Sequence, residues 1–426
     1  MRRWVSRLVL LVIALFVLAF GAFWTLEIFP LRDSHPALKL AKGVLVVQHA
    51  RIYPSPTDAP IDDGTVVIRD GLIAEVGTQI AVPAGATVLP CEHCVVTAGF
   101  WNAHVHFTEP KWSLAQWKAN DLLNAQMADM LLSHGFTTVV DLGSNPADTF
   151  AMRRRIERTQ LRGPYIYSSG PPLYPPHGIP FYVKETMPPW MLAMMAQPGT
   201  PDAARRVVRR NLRMGADLTK LFTGSWVQRG TVLPMPVDVA KAAVEESHLN
   251  GKLVFAHPSD LAGVRVAIES GVDVLAHAAD DTRGVDQALL SEAVHKNMAM
   301  IPTLKMFTTT VTNDPHYMDP ICNEVRQFHL LGGQLIFGTD VGYMGDYSTD
   351  MEFVELGKSG LDWKDILAML TTNPSARMGV SNAKGTLTTG KLADLTVLSA
   401  DPATDLTNFA RVEMVIRSGR VIWQRQ

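Results

Sequence analysis

Between residues 98 and 384 the sequence alternates short apolar runs with helical patterns. The runs begin with the stretch around 95–107 and recur at 137–141, 164–168, 217–222, 253–256, 272–276, 299–304 and 335–340. Helical spacing fills stretches between them, as at 114–132, 203–214 and 237–249. Few architectures accept that order. Eight parallel strands with intervening helices specify an α/β fold, the (β/α)8 TIM barrel. The stretch 171–201 is rich in Pro and Met and reads as a long irregular insertion after the third strand, of the kind that forms lids.

The flanks have another texture. Residues 43–48, 64–69 and 72–76 are β-branched and apolar, punctuated by Asp-Gly turns. The tail at 394–398, 412–417 and 420–423 reads the same way, with Ser418-Gly419 as a hairpin turn. Two all-β ends around a different middle predict a small β-sandwich domain composed of 38–97 and 385–426, with the barrel over 98–384.

Residues 1–30 differ from everything after them. Arg2, Arg3 and Arg7 precede seventeen uncharged residues from Leu8 to Trp24. A positive start followed by an apolar run is an export signal or a membrane anchor. The reading favoured is an uncleaved anchor; Ala19-Phe20-Gly21 is a weak small-x-small cleavage site for the alternative. The arginines would stay in the cytoplasm, leaving the main body attached to the inner membrane and facing the periplasm.

Composition closes some options. Hydrophobic residues make up 47% and charged residues 19%, as in a globular chain with a large core. The formal net charge of −2 argues against a nucleic-acid binder, which would carry a basic face. Oligomerisation is left open. Cys91 and Cys94 form a C-x-x-C without the second half of a zinc site and without a thioredoxin-like context, so an incidental or local disulfide pair is expected.

Chemistry in such a barrel gathers at the C-terminal ends of the strands. The first strand ends in His-Val-His. Successive side chains of a strand alternate faces, so His104 and His106 point the same way and suit one cation. The fourth strand contains Lys220, the fifth ends in His257, the sixth in His277 and the eighth in Asp340. Singly, each has a bland explanation: a core histidine, a solvated lysine, a helix-capping aspartate. Six such residues from five strand ends, in barrel order, predict a metal site.

These segments resemble the amidohydrolase superfamily, metal-dependent hydrolases with a (β/α)8 barrel and a flanking β-sandwich. GFWNAHVHF is similar to its first-strand motif and HGFTTVVDLG to its second strand. MGADLTKLFTGS is similar to the segment that contributes a carboxylated lysine. FAHPSDLAGVRVAIESGVDVLAHAADD is similar to the paired histidine strands, and LIFGTD to the eighth-strand aspartate. LTTNPSARMGV and KGTLTTGKLADLTVL resemble the closing helix and the return to the sandwich. In texture the chain is most similar to the imidazolonepropionase-like and Xaa-Pro (or Xaa-Arg) dipeptidase branch.

The resemblance implies two divalent ions, zinc foremost, with manganese or iron tolerated by similar ligands. His104, His106 and Asp340 would bind one, and His257 and His277 the other. Lys220 would bridge them as a carbamate formed with carbon dioxide. A water shared by two cations loses a proton near neutral pH and becomes a nucleophile, with Asp340 as general base and then acid. The implied reaction is hydrolysis of an amide-type bond in a small molecule or short peptide. Mononuclear deaminases of the superfamily lack the lysine and carry a Glu soon after the fifth-strand histidine; here Pro258, Ser259 and Asp260 follow, Asp260 being read as a helix cap. A lactonase, esterase or phosphotriesterase on the same centre is the enzymatic alternative, and a non-catalytic binding protein the alternative of another class. Candidate substrate contacts are Tyr343, Arg229, Trp226, His177 and Tyr182, with Arg229 or Lys305 placed to hold a carboxylate.

Overall fold

The computed structural model describes residues 2–23, 35–91, 93–310 and 314–426. Helix α1 spans Arg2–Phe23, and its apolar side chains such as Leu10 and Phe16 are exposed. Among the described residues no helix is long and apolar enough to cross a membrane. The anchor expected over 1–30 finds no support among these residues: the uncharged run within α1 is shorter than the roughly 20 apolar residues a crossing takes. Residue 1 and residues 24–30 of that segment lie outside the described residues.

Five short strands come next: β1 (Val44–Ile52), β2 (Ile61–Arg69), β3 (Leu72–Gly77), β4 (Thr87–Pro90) and β5 (Val95–Ala98). The middle of the chain adds β6 (Phe100–Val105), β7 (Phe136–Asp141), β8 (Tyr165–Ser168), β9 (Thr219–Phe222), β10 (Gly224–Gln228) and β11 (Thr231–Pro234). It continues through β12 (Val254–His257), β13 (Val274–Leu275), β14 (Ala299–Met300) and β15 (Gln334–Leu335). The tail forms β16 (Leu395–Leu398), β17 (Val412–Arg417) and β18 (Arg420–Gln424).

The two ends of the chain share one hydrogen-bonded sheet, ordered β18-β17-β16-β5-β1-β2-β3, with β4 on β1. The join is antiparallel, with Leu395 of β16 opposite Ala98 of β5. Alternation along these strands sends Val47, Ile68, Val96, Leu395 and Ile416 into one buried cluster. Ser418 and Gly419 both have positive φ, the geometry a two-residue hairpin between β17 and β18 requires. Cys91 and Cys94 are joined by a disulfide just before β5.

Apart from the antiparallel pair β10–β11, the middle strands are parallel. They form a three-stranded sheet, β6-β7-β8, and a five-stranded sheet, β15-β14-β13-β12-β9. Backbone hydrogen bonds join the edges of the two. On one side Asp217 N donates to Ser168 O (2.8 Å) and Leu173 N to Lys220 O (2.9 Å). On the other, Ala103 N donates to Phe337 O (2.8 Å) and His106 N to Val341 O (2.8 Å). Ala103, Val140, Phe255, Val274, Ala299 and Ile336 meet in one buried cluster, though they come from six different strand segments.

Local differences from the sequence reading have physical causes. The helix expected over 114–132 is restricted to Asn120–Met130, because Leu114 sits at φ 58, outside the helical region. The stretch 171–201 is partly helical, with Phe181–Thr186 and Pro189–Leu192 each opening behind a proline that has no N–H to leave unpaired. The hairpin β10–β11 directly after β9 was not anticipated.

Candidate metal centre

Parallel strands place their C-terminal ends at one rim, and the sequence supplies polar residues there. His104 lies in β6 and His106 just past it. The Nδ1 of His104 lies 2.7 Å from the Ala276 carbonyl, an acceptor only, so Nδ1 carries the proton. His277 is fixed in the same way. The Thr303 hydroxyl donates to the Pro302 carbonyl (2.7 Å), so it accepts from His277 Nδ1 (2.7 Å). In both rings the Nε2 lone pair is then free to bind a cation. His104 Nε2 and His106 Nε2 lie 3.3 and 3.0 Å from Asp340 Oδ1. The ligating atoms of His104, His277 and Asp340 all fall within 4.8 Å of one another.

Asp340 is brought there by backbone bonds. Its N–H donates to the His104 carbonyl (2.9 Å), and its φ is 58. Aspartate tolerates this left-handed conformation better than most residues, and the bond to His104 holds it there. Two residues on, Gly342 has φ 95, and a Cβ there would lie 1.8 Å from the His106 carbonyl oxygen. Only glycine allows this loop to close onto the end of β6.

Lys220 and His257 complete the group. Lys220 stands in β9 opposite Phe255 of β12, and His257 opposite Phe222. The His257 ring lies 4.7 Å from Phe222 and 4.5 Å from His277, centroid to centroid. Lys220 is 1% exposed, and burial pushes its amine down to about 7. Burial, reinforced by the Lys220 charge, holds His104 and His257 well below the ordinary imidazole value. His277 is lowered by burial and by the neighbouring histidines. Neutral imidazoles are the form that binds metal.

The unsatisfied atoms show what the group suits. Lys220 Nζ, His257 Nε2, His106 Nδ1 and Asp340 Oδ1 are all buried without a hydrogen-bond partner. Buried polar atoms are normally paired. Four orphans in one cluster of four imidazoles, a carboxylate and an amine fit a divalent ion, whose ligands are deprotonated nitrogen and oxygen.

The expected substrate contacts divide. Tyr182 and Tyr343 meet edge to face, with ring centroids 5.3 Å apart. Burial raises both hydroxyls, with the charges of Asp280 and Asp340 adding to it. Trp226 Nε1 donates to Asp280 Oδ2 (2.6 Å). Arg229 does not join them; it sits at the tip of the β10–β11 hairpin over the Phe181 ring (5.2 Å), exposed. His177 is exposed in a left-handed conformation. Lys305 is buried and spent on the Asp346 and Ser348 carbonyls (2.9 and 2.6 Å). Asp280 was missed by sequence reasoning; its only signal is an acidic residue three positions after His277. Asp260 does cap the helix Leu261–Ser270, accepting from Gly263 N (2.9 Å).

Comparison with known proteins is consistent with this geometry. Residues 95–422 match the model of the Amidohydrolase family. The chain is 22% identical over 400 residues to the ochratoxinase of Aspergillus niger, covering 84% of this chain and 81% of that protein. Among solved structures it resembles a Xaa-Pro dipeptidase with bound methionine in the active site, with TM-score 0.76 and 20% identity over 90% of this chain and 100% of that one. It also resembles a putative prolidase from Bifidobacterium longum, with TM-score 0.73 and 24% identity over 90% of this chain and 95% of that one.

Proposed function

Because the chain belongs to the amidohydrolase family, we propose that it is a metal-dependent hydrolase of amide-type C–N bonds in a small molecule or short peptide. The observation that carries the reading is the buried, partnerless amine of Lys220 among four histidines and Asp340. Similarity to proteins called Xaa-Pro dipeptidase and ochratoxinase supports the amide bond as the target.

His104, His106 and Asp340 are assigned to one divalent ion, zinc by preference, and His257 and His277 to a second. Lys220, once carboxylated to a carbamate, would supply the anionic oxygens that hold the two ions together. A lysine poised near 7 by burial has the neutral amine that reaction with carbon dioxide needs. The ions supply Lewis acidity toward the amide carbonyl and acidify water. The chain's own residues do the rest. His104 and His277 are held by Ala276 and Thr303 in the tautomer that presents Nε2. Asp340 takes the proton of the attacking water and returns it to the leaving nitrogen, which would otherwise depart as an amide anion. All six residues come from one chain, so this chemistry needs no second copy.

The fold reading that accompanies this is a closed (β/α)8 barrel over 98–384. It is supported by the hydrogen bonds that join β8 to β9 and β15 to β6, and by the cluster shared among the strands. The segments 38–97 and 385–426 are read as one accompanying β unit. An extracytoplasmic location is our reading of the three N-terminal arginines before an apolar run, together with the Cys91–Cys94 disulfide.

The test is a substrate panel on metal-loaded protein: dipeptides, N-acyl amino acids, lactones and phosphotriesters. Turnover of the amides supports the proposal. Turnover of lactones or phosphotriesters alone defeats it, and protein that takes up no metal defeats catalysis altogether.

A further inference from the structure

Asp280 is a carboxylate with half its hydrogen-bonding capacity vacant. Trp226 Nε1 holds Oδ2 at 2.6 Å, whereas Oδ1 is buried with no partner. The backbone on both sides is fixed. Ala279 N donates to the Glu324 carboxylate (3.0 and 3.3 Å), and Asp281 N to the Ser259 carbonyl (3.0 Å). The side chain therefore cannot easily swing away to find another donor. Among the described residues no lysine or arginine pairs with it; Arg283 is taken by the neighbouring Asp281. The charges that act on Asp280 are Asp260 and Asp340, both negative, and burial with these neighbours pushes its carboxyl up to about 7.

Its surroundings are those of a binding site. Asp280 acts electrostatically on Tyr182 and Tyr343, and Asp340 acts on the same two hydroxyls. Geometry ties these groups to the centre in pairs: the Trp226 ring is held by Asp280 (2.6 Å), Tyr182 meets Tyr343 edge to face (5.3 Å), and Tyr343 N donates to the Asp340 carbonyl (3.2 Å). An aromatic wall around an unpaired carboxylate attracts cations, by charge-assisted hydrogen bonding and by the ring faces. The cationic side chains expected to receive a substrate carboxylate, Arg229 and Lys305, are turned elsewhere.

We propose that Asp280 binds a protonated amine of the substrate beside the amide bond to be cleaved, which makes it a specificity-determining residue. This rests on the reading of the centre as an amide hydrolase. An α-ammonium group is two bonds from the carbonyl carbon of its own residue, so a free N-terminus meets the requirement, as does a basic side chain on the acyl residue.

The test uses the full-length, metal-loaded protein and matched pairs that differ only in the amine. An alanyl amide should exceed its propionyl counterpart in kcat/KM by about tenfold or more, the worth of one charge-assisted hydrogen bond. If the side-chain amine is the one bound, the preference moves to N-acetyl-lysyl over N-acetyl-norleucyl amides. Asp280→Asn should bring the preferred ratio down to about one. Equal kcat/KM within both pairs overturns the proposal, as does a ratio unchanged in the variant. Calorimetry with leucinol and its des-amino counterpart reads the amine site without turnover. Preferential leucinol binding that Asp280→Asn abolishes, with no amide cleaved, sinks the amide reading and keeps the amine site. Indifferent leucinol binding in the unmodified protein, together with no preference for the lysyl over the norleucyl amide, sinks the amine site.

Discussion

Two buried lysines of this chain have opposite surroundings. Lys384 lies where the helices give way to the terminal strands. Its Nζ donates to Asp394 (2.9 Å) and to Thr138 Oγ1 (3.0 Å), and lies near the Trp101 and Tyr165 rings. Asp394 accepts in turn from Ser418 N (2.7 Å). Lys220 lies at the rim of the parallel strands, is buried more deeply, and among the described residues has the Phe222 ring at 5.7 Å but no hydrogen-bond partner. A lysine paired in this way is part of the scaffold; one kept buried without a partner costs stability and persists where chemistry needs it. Burial alone does not separate the two. The partners do.

Substitution should split the pair. Lys220→Ala is expected to lower amide hydrolysis by roughly a thousandfold, about 4 kcal/mol of barrier. Its thermal midpoint without metal should stay the same or rise, because a solvent-deprived amine has been removed. A fall in midpoint with activity retained would place Lys220 on the scaffold side of the comparison. Lys384→Ala should do the reverse. It strands Asp394 and should cost about 3 kcal/mol of stability, read by chemical denaturation, with metal content unchanged. Stability at the wild-type level would mean that the Asp394 pair holds nothing together.

Glu324 offers a smaller, intermediate case. It is buried, among the described residues it accepts only from the Ala279 N–H, and burial pushes its carboxyl up from 4.5 to about 8. The folded protein then holds a proton that the unfolded chain gives up at lower pH. The stability this contributes is fully present below about pH 4.5, declines across the window from there to about 8, and is gone above it. Glu324→Gln should remove that decline from the thermal midpoint measured between pH 5 and 8. An identical pH profile in the variant would show that Glu324 stays ionised when folded.

Much of the arrangement was legible because strands translate sequence position into direction. His104, His106, His257 and His277 sit at or just beyond strand ends, Asp340 follows an apolar run, and Lys220 lies inside the short strand β9, so apolar runs that end in or contain one polar residue nominated them. Loops carry no such rule. Arg229 looked like a carboxylate clamp, but the β10–β11 hairpin lifts it onto Phe181. Asp280 looked like an ordinary loop acid, and its meaning comes from Trp226, 54 residues away in sequence. The shortened helix at Asn120–Met130 has the same lesson on a local scale: Leu114 has good helix propensity, and tertiary structure places it at φ 58.

Lys220 is assigned to a metal centre, and that assignment can be measured. Metal content per chain, measured on the unmodified protein and on Lys220→Ala after loading with zinc and desalting, tests that directly. About two equivalents are expected in the unmodified protein, falling to about one or fewer in the variant. No bound zinc in the first, or two equivalents in both, would contradict it.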